Sequence, residues 1–249
     1  MNISGNTVFI PGATSGIGLA LALRLQEAGN TVIIGGRRVT LLEQLAAEHG
    51  LATVEIDTTD PDSVLAARDQ VLTAHPEVNV LIAMAGIMVA EDVHTAGFLA
   101  EAERTVETNV LGPLRLIAAF VEHLQTREAA TIITVSSGLA HIPLRVTPSY
   151  NGSKAFIHLF TQSIRTQLAD TTVQVIELVP PALRTELMPG QSENEAFLPL
   201  DEFIDEAIAL LQNQPEATEI LVERVKPLRY AEVNGAKDQV TAMLNSHVH

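Results

Sequence analysis

Residues 7–36 read TVFIPGATSGIGLALALRLQEAGNTVIIGG: an apolar run, a glycine-rich turn, a helical pattern and a second apolar run. We predict a strand at Thr7–Pro11, a helix at Gly16–Ala28 and a second strand at Thr31–Gly35. Two strands joined by one helix form the right-handed unit from which parallel sheets are built. This stretch therefore places the chain in the α/β class.

The turn between the first strand and the first helix is spaced as Gly12-x-x-x-Gly16-x-Gly18. A turn this tight needs residues without a Cβ, and the helix start behind it offers free N–H groups and a positive dipole end to a phosphate. The expected dinucleotide contacts in the turn are Gly12, Thr14, Ser15, Gly16, Ile17 and Gly18. A glycine-rich turn that binds no ligand is the alternative, since a lone motif of this kind is weak.

The rest of the chain continues the alternation of short apolar runs with helical patterns. Strands this uniformly apolar are typical of a parallel sheet that is covered on both faces. We predict one Rossmann-type, doubly wound domain over residues 1–249, with helices on both faces of the sheet. Two long helices are predicted, at Phe98–Gln125 and near Leu228–Leu244, and a substrate lid is predicted near 186–199.

Composition narrows the functional classes. The 249 residues carry 30 acidic and 15 basic side chains, a net charge of −15, which disfavours nucleic acid and anionic membranes as partners. Cysteine is absent, so disulfides and thiolate metal sites are excluded. Neither a signal peptide nor an apolar stretch of membrane-spanning length is evident. We expect a cytoplasmic protein.

The second predicted strand ends in Gly35-Gly36-Arg37-Arg38. NAD-binding folds commonly place an acid here to hold the ribose hydroxyls, whereas guanidinium groups suit a 2′-phosphate. The sequence thus favours NADP(H), with Arg37 ahead of Arg38, against the alternative that both arginines are solvated. Asp57, after the third strand, is either an adenine contact or a turn residue.

Tyr150 and Lys154 lie four residues apart, and Ser137 precedes the tyrosine by thirteen. With the glycine turn, Asp57, Ala85-Gly86 and Asn109, they make the chain resemble the short-chain dehydrogenase/reductase family across residues 5–225. The double proline in Val179-Pro-Pro-Ala-Leu-Arg-Thr185 and the run at 219–223 are similar to the DltE-like subgroup of that family.

The resemblance implies a role for each matching residue. Tyr150 donates the proton, Ser137 orients the substrate oxygen, and Lys154 lowers the phenol pKa and holds the ribose, which the physical chemistry of a phenol beside a cation supports. Asn109 holds a water beside Lys154, unless it is a helix-interior residue bonded to its own backbone. The remaining implied cofactor contacts are Ala85, Gly86, Pro180, Leu183 and Thr185.

Three features depart from the family pattern. Pro11 stands where threonine is usual, and Ala83-Met84 replaces two asparagines, which predicts altered bracing near the cofactor. Arg184 occupies a position where the subgroup often carries an acid.

The substrate pocket is expected to be mainly apolar, which favours a hydrophobic carbonyl over a sugar. Its predicted walls are Ile87, Met88, His141, Ile142, Leu144, Leu183, Leu187 and Met188. His94, His141, Arg145 and Arg184 are candidate polar handles, although ordinary solvated loop residues are the commoner state. His75, His247 and His249 have no metal-ligand spacing, so no metal site is predicted.

The leading functional hypothesis is an NADPH-dependent carbonyl reductase, reversible as an alcohol dehydrogenase. A non-catalytic NADP(H)-binding regulator or scaffold is the alternative, and an epimerase of the same fold is a third. Surplus apolar residues on the helices at 98–125 and 148–168 predict a homodimer, with a tetramer left open.

Overall fold

The computed structural model describes residues 1–246. Seven parallel strands form one sheet in the order β3-β2-β1-β4-β5-β6-β7. The strands are β1 (Thr7–Pro11), β2 (Thr31–Gly36), β3 (Ala52–Glu55), β4 (Val80–Ala83), β5 (Ala130–Val135), β6 (Val173–Leu178) and β7 (Glu219–Ile220). This sheet confirms the predicted single-domain, Rossmann-type fold.

Nine α-helices connect or follow the strands in the described part of the chain. They are α1 (Gly16–Glu27), α2 (Val39–His49), α3 (Pro61–Ala74), α4 (Phe98–Val106), α5 (Gly112–Gln125), α6 (Pro148–Gln167), α7 (Leu200–Asn213), α8 (Lys226–Arg229) and α9 (Lys237–Asn245). Within residues 1–246, no helix is both long enough and apolar enough to cross a membrane.

The core lies on both faces of the sheet because successive strand side chains point in opposite directions. Val8 and Ile10 belong to one buried cluster, and Phe9 between them belongs to the other. Phe9 packs against Phe120 of α5 with their ring centroids 5.3 Å apart. Burial on both faces explains why the strands read as uninterrupted apolar runs.

The predicted long helix at Phe98–Gln125 is interrupted. A π-helical turn at Glu107–Leu111 separates α4 from α5. Pro113 has no N–H to donate to the carbonyl of Asn109 four residues earlier, which favours a wider turn at this point. The interruption places Asn109 in the π turn, with its side chain buried.

The predicted terminal helix near Leu228–Leu244 was wrong as a single element. The structure has the short α8 and the separate α9, joined by a turn region. Gly235 in that region has φ +66°, a left-handed conformation that ends helical continuity. The ends of the other predicted elements agree with the structure to within two residues.

The strand order reverses between β1 and β4, which lie side by side although two strands intervene in the sequence. In open parallel sheets, a crevice forms at the carboxyl ends of the strands at such a switch point. The glycine turn follows β1, and the loop at 84–88 follows β4, so both lie at this crevice.

Candidate active site

A cavity of about 620 Å³ opens at the switch point. The glycine turn, the end of β5, the start of α6 and the loop after β6 all contribute to its lining. Its lining residues include Gly12, Ser15, Gly16, Ile17, Gly18, Gly86, Ser137, Tyr150, Lys154, Pro180, Leu183 and Thr185. Segments separated by more than 100 residues in sequence therefore meet around one space.

The glycine turn is shaped by backbone contact that leaves no room for side chains. A Cβ on Gly12, which has φ +85°, would lie 2.9 Å from the Cα of Ala85, and one on Gly18 would lie 2.7 Å from the Cα of Ala13. Gly16 has φ +55° and faces Thr185 across the cavity, where a Cβ would lie 3.9 Å from the threonine side chain. These contacts form a cradle that fits a pyrophosphate group at the start of α1.

Met84, one of the two residues that stand where asparagines are usual, lies against the glycine turn beside Ala85. Ala85 sits directly against Gly12, and the sulfur of Met84 would be 3.0 Å from a Cβ on Gly18. At Met84, close apolar contact with the glycine turn thus stands where an asparagine is usual.

Arg37 and Arg38 lie at the end of β2, beside the glycine turn. Arg38 donates a 2.9 Å hydrogen bond to the hydroxyl of Thr14, and Arg37 lies 3.8 Å from the carboxylate of Asp57. The Arg37 side chain is 70% exposed, so its guanidinium is accessible to a ligand. The Asp57 carboxylate also accepts bonds from the N–H and hydroxyl of Thr59, which makes it a turn residue as well.

The side chains of Ser137, Tyr150 and Lys154 converge on the cavity. Ser137 is hydrogen-bonded to the Tyr150 phenol, and Lys154 Nζ is 5.5 Å from the tyrosine ring centroid. The ammonium group also donates a 2.8 Å bond to the carbonyl oxygen of Val135. Tyr150 and Lys154 lie one helical turn apart near the start of α6, so the helix itself presents both to one side.

Burial controls the ionisation of this set in the ligand-free protein. It raises the pKa of the Tyr150 phenol to about 12, against the opposing effect of the Ser137 hydrogen bond. It lowers the pKa of Lys154 to about 8, because the low-dielectric surroundings disfavour the ammonium form. Tyr150 is therefore a protonated phenol at neutral pH, the state required of a proton donor.

Asn109 joins the π turn to the loop that follows β4. Its Oδ1 accepts a 2.8 Å bond from the N–H of Ile87, and its Nδ2 donates to the carbonyl of Ile87 at 2.8 Å and to the Ser153 hydroxyl at 3.2 Å. These bonds use both N–H groups of the amide and one of the two acceptor positions of Oδ1, so the bound water stays a prediction. The contacts fix the position of Ile87 at the cavity.

The predicted substrate pocket is divided by the structure. Ile87, Met88, Leu183 and Leu187 line the cavity, together with Val89, Arg104 and Glu186, which the sequence did not single out. His141, Ile142, Leu144 and Met188 are not among its lining residues. His141 packs instead against His158, because the short helical turn after Ser137 directs the chain away from the cavity.

Arg184 is bonded to the segment 186–199, which the sequence predicts to be a lid. Its guanidinium donates to the backbone carbonyls of Phe197 at 3.0 Å and Glu195 at 2.8 Å. Gln191 from the same segment donates to the carbonyl of Leu183 at 2.8 Å. Arg184 therefore has lid partners, and a substrate carboxylate would have to compete with them.

The other candidate polar handles lie elsewhere. His94 is an exposed loop residue 2.6 Å from Asp92, and His75 lies 3.5 Å from Glu77. The backbone N–H of Arg145 donates to the side chain of Asn245 in α9. His247 and His249 lie outside the described residues.

With this geometry in place, comparison with known proteins decides the family. The short chain dehydrogenase family model matches residues 6–196. The chain belongs to the short-chain dehydrogenase/reductase family. This confirms the resemblance, and the protein is an oxidoreductase of that family.

Individual relatives of this short-chain dehydrogenase agree with the assignment. The chain is 35% identical over 238 residues to the uncharacterized oxidoreductase DltE of Bacillus subtilis (strain 168), and the match covers 93% of each chain. It is 32% identical over 184 residues to sulfoacetaldehyde reductase 2 of Chromohalobacter salexigens, covering 72% of this chain and 73% of that one. A short chain dehydrogenase from Burkholderia cenocepacia J2315, solved in complex with NADP, superposes with a TM-score of 0.82 at 26% identity, covering 98% and 99% of the two chains.

Proposed function

We propose that the protein is an NADPH-dependent carbonyl reductase, reversible as an alcohol dehydrogenase. The observation that carries the proposal is that one cavity is lined both by the glycine turn and by Ser137, Tyr150 and Lys154. The first set fits a dinucleotide, and the second fits proton transfer to a carbonyl oxygen.

The residues divide the work of reduction. When bound, the reduced nicotinamide supplies a hydride to the carbonyl carbon. Tyr150 donates its phenolic proton to the carbonyl oxygen, and Ser137 orients that oxygen by a hydrogen bond. Lys154 stabilises the phenolate left behind, since a nearby cation favours the charged form. Thr185 lies across the cleft from Gly16 and Leu183 lines the same cavity, so both would contact a bound cofactor.

The arginines after β2 support NADPH over NADH. Arg37 and Arg38 are the charged groups that follow a strand ending in two glycines, where an acid would be needed for the ribose hydroxyls of NAD. Arg38 is already oriented by Thr14. The NADP complex of the Burkholderia cenocepacia relative is consistent with this preference.

The cavity supports a hydrophobic ketone or aldehyde as the substrate. Ile87, Met88, Val89 and Leu187 supply apolar surface around the reacting position. The cationic groups in the lining have partners, since Arg184 binds the lid and Arg104 pairs with Glu101.

Assembly as a homodimer is part of the proposal. Apolar side chains remain exposed on α4 and α6, among them Leu99 at 54% and Leu159 at 63% exposure. Phe156, also partly exposed, stacks on Phe160 along the same helix. Sedimentation of the wild type and of Leu159→Glu should show a dimer and a monomer, respectively. A monomeric wild type would contradict this assembly.

The test of the proposed function is turnover across a panel of aliphatic, aromatic and dicarbonyl substrates. Oxidation of NADPH is followed by the loss of its absorbance, with NADH in parallel. Tyr150→Phe should reduce turnover at least ~100-fold, the low end of a general-acid contribution, and leave NADPH affinity unchanged. Tight NADPH binding without turnover of any carbonyl would favour the regulator. Interconversion without net cofactor consumption would favour the epimerase.

A further inference from the structure

A buried polar cluster lies behind the cavity wall that carries Ser137. Glu177 on β6 is fully buried and accepts a hydrogen bond from the hydroxyl of Ser136, the residue that precedes Ser137. The two carboxylate oxygens of Glu177 lie 3.0 and 2.9 Å from Nδ1 of His158. One side chain thus contacts both the end of β5 and the helix α6.

Both contacts lead to the proposed catalytic residues. Ser136 lines the cavity next to Ser137, and its N–H also donates to the carbonyl of Leu178 at 3.0 Å. His158 lies one helical turn after Lys154 and two turns after Tyr150, on the side of α6 that faces the sheet. Glu177 therefore connects the strand end that holds the hydroxyl to the helix that holds the phenol and the amine.

The side chains in this cluster are better suited to a network of ion pairs than to a metal site. Ligand atoms of His158, Glu177 and Glu219 lie within 4.8 Å of one another. However, Arg229 binds both oxygens of Glu219, at 2.8 and 2.9 Å. A metal ion would have to displace that guanidinium, so Arg229 already supplies positive charge where a cation would bind.

Of the two neighbouring histidines, His158 is the one that contacts Glu177, and His141 packs against His158. Its ring packs edge-on against His158 with centroids 4.6 Å apart. Burial, with smaller contributions from the neighbouring His158 and Arg229, lowers the pKa of His141 to about 4. His141 is therefore uncharged at neutral pH, and its ring provides the edge-on contact against which the His158 ring packs.

Stability alone does not explain a carboxylate at this position. Removing a charge from water is costly, and well-packed apolar residues often replace a buried ion pair with no loss of stability. A fully satisfied buried polar network does, however, fix a unique arrangement of its members. In this protein, Glu177 fixes the position of Ser136 relative to α6.

We propose that Glu177 is a positioning residue for the reduction proposed above. Through Ser136 it holds the end of β5, and through His158 it holds α6, so that the Ser137 hydroxyl stays in contact with the Tyr150 phenol. The kinetic part of this inference rests on the proposed function, whereas the geometric part does not.

Three variants test the inference. Glu177→Gln keeps the size of the side chain but removes the charge, and Ser136→Ala removes the link to β5 while leaving the pair with His158. Glu219→Gln is the matched control, because Glu219 is the register partner of Glu177 on β7 and loses the same charge. The Glu219 carboxylate accepts its hydrogen bonds from Arg229, and within residues 1–246 it makes no hydrogen bond to β5.

We expect Glu177→Gln and Ser136→Ala to lower kcat roughly ten- to hundredfold, the scale of a small misplacement of reacting groups. NADPH affinity and the KM for the carbonyl should stay near wild type, and Glu219→Gln should retain kcat. An equal loss of kcat in Glu219→Gln would overturn the proposal, because the effect would then be a general weakening of the sheet. A rise in KM alone for Ser136→Ala would also overturn it, since Ser136 would then be a substrate contact.

A second readout does not need turnover. The chain has two tyrosines, Tyr150 and Tyr230, so isotope-labelled tyrosine gives two phenol signals by nuclear magnetic resonance, assigned with Tyr230→Phe. Glu177→Gln and Ser136→Ala should shift the Tyr150 signal, and Glu219→Gln should not. An unshifted signal together with unchanged kcat refutes the positioning role. If the wild type turns over no carbonyl but the signal still shifts, the proposed function fails and the positioning role stands. If Glu177→Gln does not fold, Ser136→Ala tests the positioning role instead, with the same expected loss of kcat and the same shift of the Tyr150 signal.

Discussion

The two walls of the cleft are built in different ways. The glycine wall, residues 12–18, is one continuous segment in which backbone packs on backbone at Gly12 and Gly18. The side-chain wall is made by Ile87, Ser137, Tyr150, Lys154 and Leu187, which come from different loops and one helix. The glycine wall depends on the absence of a Cβ atom at its glycines. The side-chain wall depends on where distant parts of the chain are placed.

This difference predicts how each wall fails. A single added methyl group is enough to block the glycine wall, because its neighbours are main-chain atoms that cannot rotate away. A changed side chain in the other wall alters proton transfer or substrate fit and leaves the fold in place.

The largest effect is expected from Gly12→Ala. The new Cβ would lie 2.9 Å from Ala85, at a residue with φ +85°, so both sterics and backbone conformation oppose it. The free turn would relax away from this contact, and restoring its binding conformation would cost about 3 kcal/mol of strain, so NADPH binding measured by fluorescence titration should be lost or weakened at least ~100-fold. Gly50→Ala is the control, because Gly50 has φ +68° but nothing within 4 Å of its Cβ position. It should lower stability by roughly 1 kcal/mol and spare the cofactor. Normal affinity in Gly12→Ala would show that this wall can yield.

Burial of Lys154 in the side-chain wall should make the free energy of unfolding depend on pH. The folded-state pKa of Lys154 is about 8, below its ordinary value of 10.5, so the unfolded chain binds this proton at pH values where the folded chain has released it. The free energy of unfolding must then rise with pH across that window. Relative to Lys154→Met, the ligand-free wild type should gain on the order of 3 kcal/mol between the two values, measured by denaturant titration. A constant difference between the two proteins would contradict the burial of the amine.

Arg37→Ser tests the end of β2, which lies beside the glycine wall. Loss of one charge-assisted hydrogen bond to a phosphate costs about 1.5–3 kcal/mol, so the KM for NADPH should rise roughly ten- to hundredfold. The KM for NADH should not change, which makes NADH the internal control. Equal effects on both cofactors would remove the argument for a 2′-phosphate contact.

The smallest effect compares two neighbours in the lid. Leu187 lines the cavity and Met188 does not. Leu187→Ala should raise the KM for a hydrophobic carbonyl by about threefold to tenfold, the scale of one or two buried methylene groups. Met188→Ala should change it less. The reverse order would mean that substrate binding rearranges the lid.

The sequence predicted the glycine wall and the placement of Tyr150 and Lys154 on α6 well because both are local. The spacing of Gly12, Gly16 and Gly18 sets a turn within seven residues, and helical periodicity alone places Lys154 beside Tyr150. Local patterns also gave most element bounds. They failed at Glu107–Leu111, where a proline and the packing around Asn109 produce a π turn.

The side-chain wall was predicted less completely because it depends on where loops run. His141, Ile142 and Leu144 follow Ser137 closely in sequence, but the short helical turn at Gly138–Ala140 directs them away from the cavity. Arg104 lines the cavity from α4, which no sequence signal indicated. The bonds that Arg184 makes to the lid likewise join residues more than ten positions apart.

By itself, the sequence determined that this is a parallel α/β protein of the short-chain dehydrogenase/reductase family with a glycine turn and a Ser-Tyr-Lys set. Those features rest on hydrophobic periodicity, on steric exclusion at glycines and on spacing along one helix. Only the tertiary structure decided which side chains face the cleft and brought Ser136, His158 and Glu177 into one buried cluster. Contacts of that kind depend on how β5, β6 and α6 pack, and packing is set by the whole core rather than by neighbouring residues.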